Sequence, residues 1–347
     1  MTASGLCVVG GGATTAVGLT AAQTCAAIRA GISGLREELV LTPGFDAILG
    51  ARVPAGVELK RDPESWLVQL AVRTIRESLS GARFATEQTA LLLCAPEPSR
   101  AHPGMRSGAP ALLDRVVREL GVRFHPASCV RMDGHATAFA FLHDAEDLLR
   151  RGFVSSCLIA GVDSLVNLAD CQRLAASDRL HRPGSPQGII PGEGASCVRV
   201  EMPRGIEPGI LVEVPGFGRG AEPPLEDESP LPVGKGWIDA LRGAIERSGM
   251  TESDVDFCIS DWSGERYQAL ESILAHGRYY RTRRSQLKVW HPARSVGDLG
   301  AASGPLMLLV AGWAFSKGYA PGRVAMCEAS SDAGLRAACV ARAPATQ

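Results

Sequence analysis

Short apolar runs closed by glycine alternate with longer stretches of helical spacing, and that alternation restricts the chain to a layered α/β fold. GLCVVGGG (5–12), TALLLCAP (89–96), VSSCLIAGV (154–162) and VDFCIS (255–260) each read as a strand buried on both faces. ASCVRM (127–132) is predicted as a further strand, and a corner follows at Gly134–His135. Beyond it Ala138, Phe141, Leu142, Ala145 and Leu149 recur at helical spacing until Gly152 closes the helix. An imidazole therefore stands where a strand hands over to a buried helix.

IIPGEGASCVRVE (189–201) reads as a tight turn entering a strand, and a second half of similar element order follows. GILVEVPGF (209–217) is its first strand, and GAEPPLEDESPLPVG (220–234) a polar, proline-rich loop. Trp237, Ala240, Leu241, Ala244 and Ile245 mark a helix closed by Gly249. LKVW (287–290), an apolar helix over 302–316 and the pair RVAMCEA (323–329) and AACVARA (337–343) complete it. The expected division is 1–205 and 206–347, two halves of one compact unit.

With 347 residues, 46% of them hydrophobic and 21% charged, the chain can bury a large core. A formal net charge of −1 gives no attraction to nucleic acid or an anionic membrane, and RYYRTRR (278–284) reads as a solvated segment. PLMLLVAGWAF (305–315) is too short to span a bilayer, and the amino terminus has no basic start of the secretory kind. Ten cysteines are scattered without a C-x-x-C pair or zinc spacing, which points to reduced, buried thiols in a cytoplasm and to no metal. Gly10, Gly11 and Gly12 fail the dinucleotide fingerprint, since Thr15 stands where it needs glycine, so no cofactor is expected. Thr20 and Gln23 form a capping box for a short helix ending at Gly31.

Four segments in order resemble the β-ketoacyl synthases of the thiolase superfamily. VVGGGATTAVGLTAAQTCAAIRAGISG is similar to their amino terminus, and LIAGVDSL to the strand and turn after the nucleophile helix. IIPGEGASCVRVE is similar to their glycine–glutamate–glycine segment, and SVGDLGAASGPLMLL to the loop and helix carrying a catalytic histidine. The resemblance implies an α/β, five-layered αβαβα fold of two related halves, usually dimeric, acting on acyl thioesters. The chain is shorter than typical synthases, so part of a cap or dimer surface is expected to be missing.

Family chemistry uses a cysteine at the amino end of a buried helix, where the helix dipole stabilises its thiolate, and two histidines that stabilise the oxyanion. The register to Gly152 places His135 in the cysteine's position. DWSGERY after VDFCIS puts Trp262 or a neighbour at the first histidine, and SVGDLGAASG puts Asp298 at the second. EASSDAGLRAA (328–338) replaces the glycine–phenylalanine–glycine–glycine gate. Loss of a single oxyanion donor costs about 10²–10³ in rate in a hydrolase example. With three positions changed at once, and Asp298 of the wrong sign for an enolate, condensation is not expected.

The expectation is a ketosynthase-like, non-condensing protein that binds an acyl group, an acyl-carrier protein or a protein partner, as a homodimer or paired with an intact synthase. One alternative is an acyltransferase or thioester hydrolase using His135, with Asp261, Glu265, Arg266 and Asp298 converging on it. The other is a scaffold using only the dimer surface. Cys129 and Cys258 are expected as packed core thiols, His143 as a packing residue and His291 as a loop residue.

Overall fold

In the computed structural model, residues 5–38, 47–54, 56, 59, 61–63, 65–80, 85–100, 102–182, 184–203, 209–224 and 233–345 are described. The order is β1 (Leu6–Thr14), α1 (Ala21–Arg29), β2 (Arg36–Glu38), β3 (Ile48–Gly50), α2 (Trp66–Ser80), β4 (Thr89–Cys94) and α3 (Gly108–Leu120). Then come β5 (Cys129–Arg131), α4 (Thr137–Arg150), β6 (Ser156–Ser164), α5 (Leu168–Ala176) and β7 (Glu193–Glu201). The remainder is β8 (Val212–Ala221), α6 (Lys235–Ser248), β9 (Phe257–Ser260), α7 (Arg266–Tyr279), β10 (Lys288–Trp290), α8 (Ala293–Val296), α9 (Ser303–Ser316), β11 (Val324–Ser330) and β12 (Leu335–Arg342).

Ten strands pair in the order β10-β9-β11-β12-β8-β1-β7-β6-β4-β5. The order is a mirror about the β8–β1 seam. Each side is two parallel ladders followed by antiparallel ones: β5-β4-β6 then β7 and β1, and β10-β9-β11 then β12 and β8. Chain order matches as well, β1-α2-β4-α3-β5-α4-β6-β7 against β8-α6-β9-α7-β10-α9-β11-β12. The fold is thus α/β with two related halves. The seam falls between β7 and β8; the expected boundary at 205/206 lies outside the described residues, as does 225–232 of the proline-rich loop.

Hydrophobicity sorts the helices into layers. In α9 eleven residues from Ser303 to Ala314 are buried, and α4 buries Phe139, Phe141 and Leu142 with them, so both sit between the half-sheets in one core. Helices α2 and α3 are amphipathic and cover the outer face of the first half. Helix α6 does the same for the second through Trp237, Leu241 and Ile245. The result is helix, sheet, helix pair, sheet, helix, which is the five-layered arrangement. Each fully buried Leu or Phe contributes about 1.5–3 kcal/mol. The α4–α9 crossing is close because Gly304 has no Cβ, which would stand 2.7 Å from that of Ala138.

Two local expectations are corrected. ASCVRM yields only the three-residue β5, and Cys129 is exposed rather than packed. The reason is position: β5 ends the sheet and pairs with β4 alone, so an apolar run there has no second neighbour. The Thr20 cap forms half a box. Its Oγ1 accepts from the Gln23 amide at 3.2 Å, but Gln23 Oε1 turns to the Leu19 amide at 2.9 Å. Cys258 is buried as expected. Among the described residues no helix is long and apolar enough to cross a membrane.

Candidate functional site

The internal repeat brings two equivalent corners face to face. Gly134–Ala136 is a 3-10 turn running into α4, and Gly300–Ala302 is the same turn running into α9. Gly134 has φ +65° and Gly300 φ +51°, a region that favours glycine. A Cβ on Gly134 would overlap the Glu97 carboxylate, and one on Gly300 would overlap Asp163. Gly134→Ala is therefore expected to cost at least about 2 kcal/mol in urea unfolding. Gly121→Ala, at φ +70° with open space around its Cβ, should lose only about 1 kcal/mol.

His135 projects from the first corner and Asp298 precedes the second, with 2.6 Å between His135 Nε2 and Asp298 Oδ1. Asp298 is held from three further directions. Ser263 Oγ donates to Oδ2 at 2.8 Å and the Gly300 amide to Oδ1 at 2.8 Å. Its own amide donates to Ile190 O, and its carbonyl accepts from the Gly192 amide at 2.9 Å, so IIPGEG and SVGDLG build one motif. The first corner is fastened by Ser331, whose hydroxyl accepts from the Ala136 amide at 3.0 Å and donates to Asp133 O.

Electrostatics then decides the protonation state. Burial pulls the His135 pKa down, but Asp298, through its charge and hydrogen bond, outweighs it and holds the value at about 10. Burial pushes Asp298 up, while the His135 cation, the Gly300 amide and Ser263 carry it down to about 2. The pair is an imidazolium and a carboxylate at neutral pH. A cation at the amino end of α4 opposes the helix dipole, so its stability depends on Asp298, which sits on the favourable side of the α9 dipole.

Of the residues expected to converge, Asp261 acts on His135 through its charge, although it does not line the cavity. It is buried, accepts from the Ser330 amide and Gln268, and burial raises its pKa to about 7. Glu265 joins a wall of the same cavity, but as a structural partner: Arg179 clamps it and Asp332 together, at 2.9 Å from Nη2 to Glu265 and 2.8 Å to Asp332. Trp262 is not among the residues lining the cavity. Its indole donates to the Glu265 carbonyl at 2.8 Å and stacks edge-on with His291, and the neighbour Ser263 is what faces Asp298. Arg266 is exposed at the start of α7 and stays outside the lining. His143 packs edge-on against Phe217, with burial and nearby arginines lowering its pKa to about 4.

The sequence reading missed the remaining wall. Arg100 binds Asp163 and Asp170, each at 2.8 Å, and Arg336 binds Glu271 at 2.9 Å. Glu97 accepts from the Asp332 and Ala333 amides at 2.9 and 3.0 Å. These ion pairs leave about 30 Å³ of open space beside His135, room for a water or two but not for an acyl chain. No cysteine lines it. Quoted segments carried part of the signal for this network: LIAGVDSL holds Asp163, EASSDAGLRAA holds Asp332 and Arg336, and the charge-dense run DWSGERYQALE, which reads as an internal salt-bridge network or a polar site, holds Glu265 and Glu271. Among the described residues no group of three or more His, Cys, Asp or Glu could hold a metal ion.

No protein-family model and no curated protein matches the sequence. Solved structures do. The chain superposes on the ishigamide ketosynthase/chain length factor with a TM-score of 0.81 at 19% identity, covering 98% of this chain and 99% of that one. A type II PKS acyl-carrier protein complex with its hexaketide-bound ketosynthase matches with TM-score 0.81 at 14% identity, covering 99% and 100%. A ketosynthase in complex with its chain length factor from Xenorhabdus doucetiae matches with TM-score 0.74 at 11% identity, covering 98% and 98%. The chain has the thiolase-like ketosynthase fold.

Proposed function

We propose that this chain is the non-condensing member of a ketosynthase pair, a subunit that assembles with a thiol-bearing synthase in a fatty-acid or polyketide type of system. One observation carries the reading: the seat at the amino end of α4 holds His135 as an imidazolium, ion-paired to Asp298 at 2.6 Å in a space of about 30 Å³. A protonated ring with Nε2 engaged has no lone pair for attack on a thioester, which counts against the acyltransferase and hydrolase alternative. The absence of room for an acyl chain counts against acyl binding at this corner and favours a role through the protein's surface. The similarity to structures that pair a ketosynthase with a chain length factor supports the choice of partner.

The test is co-expression with a synthase of intact Cys-His-His set from the same genome, followed by size exclusion and a condensation assay. A mixed dimer whose turnover needs both chains is the expected result. Purified alone and incubated with acyl thioesters, the chain should show no mass adduct and no hydrolysis. An adduct that disappears in His135→Ala overturns the reading in favour of the enzyme. A chain that pairs only with itself overturns it in favour of a homodimeric scaffold.

A further inference from the structure

A second concavity lies where α1, the β10–α8 segment and the carboxyl end of α9 meet, and none of its lining residues is shared with the His135 cavity. It consists of two adjoining hollows of about 430 and 410 Å³, both bordered by Arg29 and Tyr319. Each is within the range of ordinary small-molecule sites.

Its chemistry is one-sided. Arg294 borders one hollow and Lys317 the other, with Arg29 between them, and no carboxylate lines either. Arg29 lies over the Tyr319 ring at 4.4 Å and Lys317 over the Trp313 ring at 5.4 Å. Neither has an acidic side chain as counterion among the described residues. The dipoles at the ends of α1 and α9 account for Arg29 and for Lys317, which caps α9, but Arg294 belongs to a single four-residue turn. The walls are aromatic as well: Trp290, Trp313 and Tyr319 are three of the chain's five Trp and four Tyr residues. Trp290 and Tyr319 are stacked, with 23° between their planes. His291, also in the lining, has a buried Nδ1 with no partner.

We propose that this cleft is a binding site for a nucleotide-type ligand, with phosphates between Arg29, Arg294 and Lys317 and a flat base against the aromatic wall. Cations without counterions select an anion, since phosphate oxygens accept charge-assisted hydrogen bonds from guanidinium groups. The rings select a planar body, because a heteroaromatic base stacks on Trp or Tyr whatever its edge pattern. An acidic peptide satisfies the first condition only, and a fatty acid leaves the stacking surface unused.

Isothermal titration calorimetry of the full chain in low salt with EDTA tests this, using ATP, AMP, adenosine and inorganic phosphate as probes. ATP and AMP are expected to bind saturably, and adenosine or phosphate alone at least roughly tenfold more weakly. Arg29→Ala and Arg294→Ala should each weaken ATP roughly tenfold, while Arg118→Ala, on the exposed face of α3, leaves it unchanged. These are exposed side chains, so the variants should melt as the parent does. Three results overturn the proposal: no saturable heat at millimolar nucleotide, affinity for ATP untouched in both variants, or phosphate alone binding as well as ATP.

Discussion

Arg100→Met lowers the free energy of unfolding by about 3–5 kcal/mol, read from the shift in a urea titration. The size follows from what the guanidinium holds. Arg100 is 8% exposed and ties together Asp163 and Asp170, 0% and 1% exposed, and also donates to the Ser164 carbonyl at 2.9 Å. Removing it leaves Asp163 buried without this cation and Asp170 with only Arg173, 3.5 Å away. Arg100 also keeps Asp170 below the usual carboxylate range, burial notwithstanding. Asp163 in turn accepts from the Ala301 amide at 3.0 Å, so the loss reaches the second corner. A double variant, Arg100→Met with Asp170→Asn, should recover part of the stability, because it removes one of the two buried charges. Full stability in the single variant is the contrary result.

Asp298→Asn lowers the His135 pKa from about 10 toward its ordinary 6.5, a change followed through the imidazole resonances by NMR. Without the carboxylate, burial disfavours the cation against only the charges of Asp261 and Asp332. The linkage has a defined sign. His135 titrates higher in the folded chain than its ordinary 6.5, so its stabilisation is whole below about 6.5 and is lost as pH rises through about 10. Asp298 titrates lower than its ordinary 3.8, so its share is present above 3.8 and is lost as pH falls through about 2. The pair is complete only between about 3.8 and 6.5. Wild-type melting temperature should accordingly fall between pH 6.5 and 10, and Asp298→Asn, destabilised by about 3 kcal/mol at pH 6, should show a flatter alkaline limb.

The fold was legible because its signals are local. Apolar runs such as LLLC in β4 and the positive-φ glycines at 152 and 249 fix elements without reference to anything distant. What periodicity does not report is whether a strand is central or at an edge, and Cys129 was misplaced for that reason. His135 and Asp298 were legible through register with neighbouring motifs. In the loop after β9 that register runs out, since DWSG has no repeating contact to count from, and Ser263 rather than Trp262 reaches the pair. The ion pairs were illegible for another reason. Arg100–Asp163, Arg179–Asp332 and Arg336–Glu271 join residues of different loops, strands and a helix far apart in sequence, and the partner of a single charge shows only when the chain closes.

The mirror arrangement of the half-sheets makes the two corners a single heritable lock. Because the α4 corner supplies the key and the α9 corner the keyhole, drift at 135 and drift at 298 are not independent events. A lineage that loses the ring first inherits a stranded carboxylate, and one that loses the acid first inherits an imidazole that holds its proton more weakly. Descendants should therefore change both positions together or neither, and any return to sulfur chemistry at 135 passes through an exchange at 298.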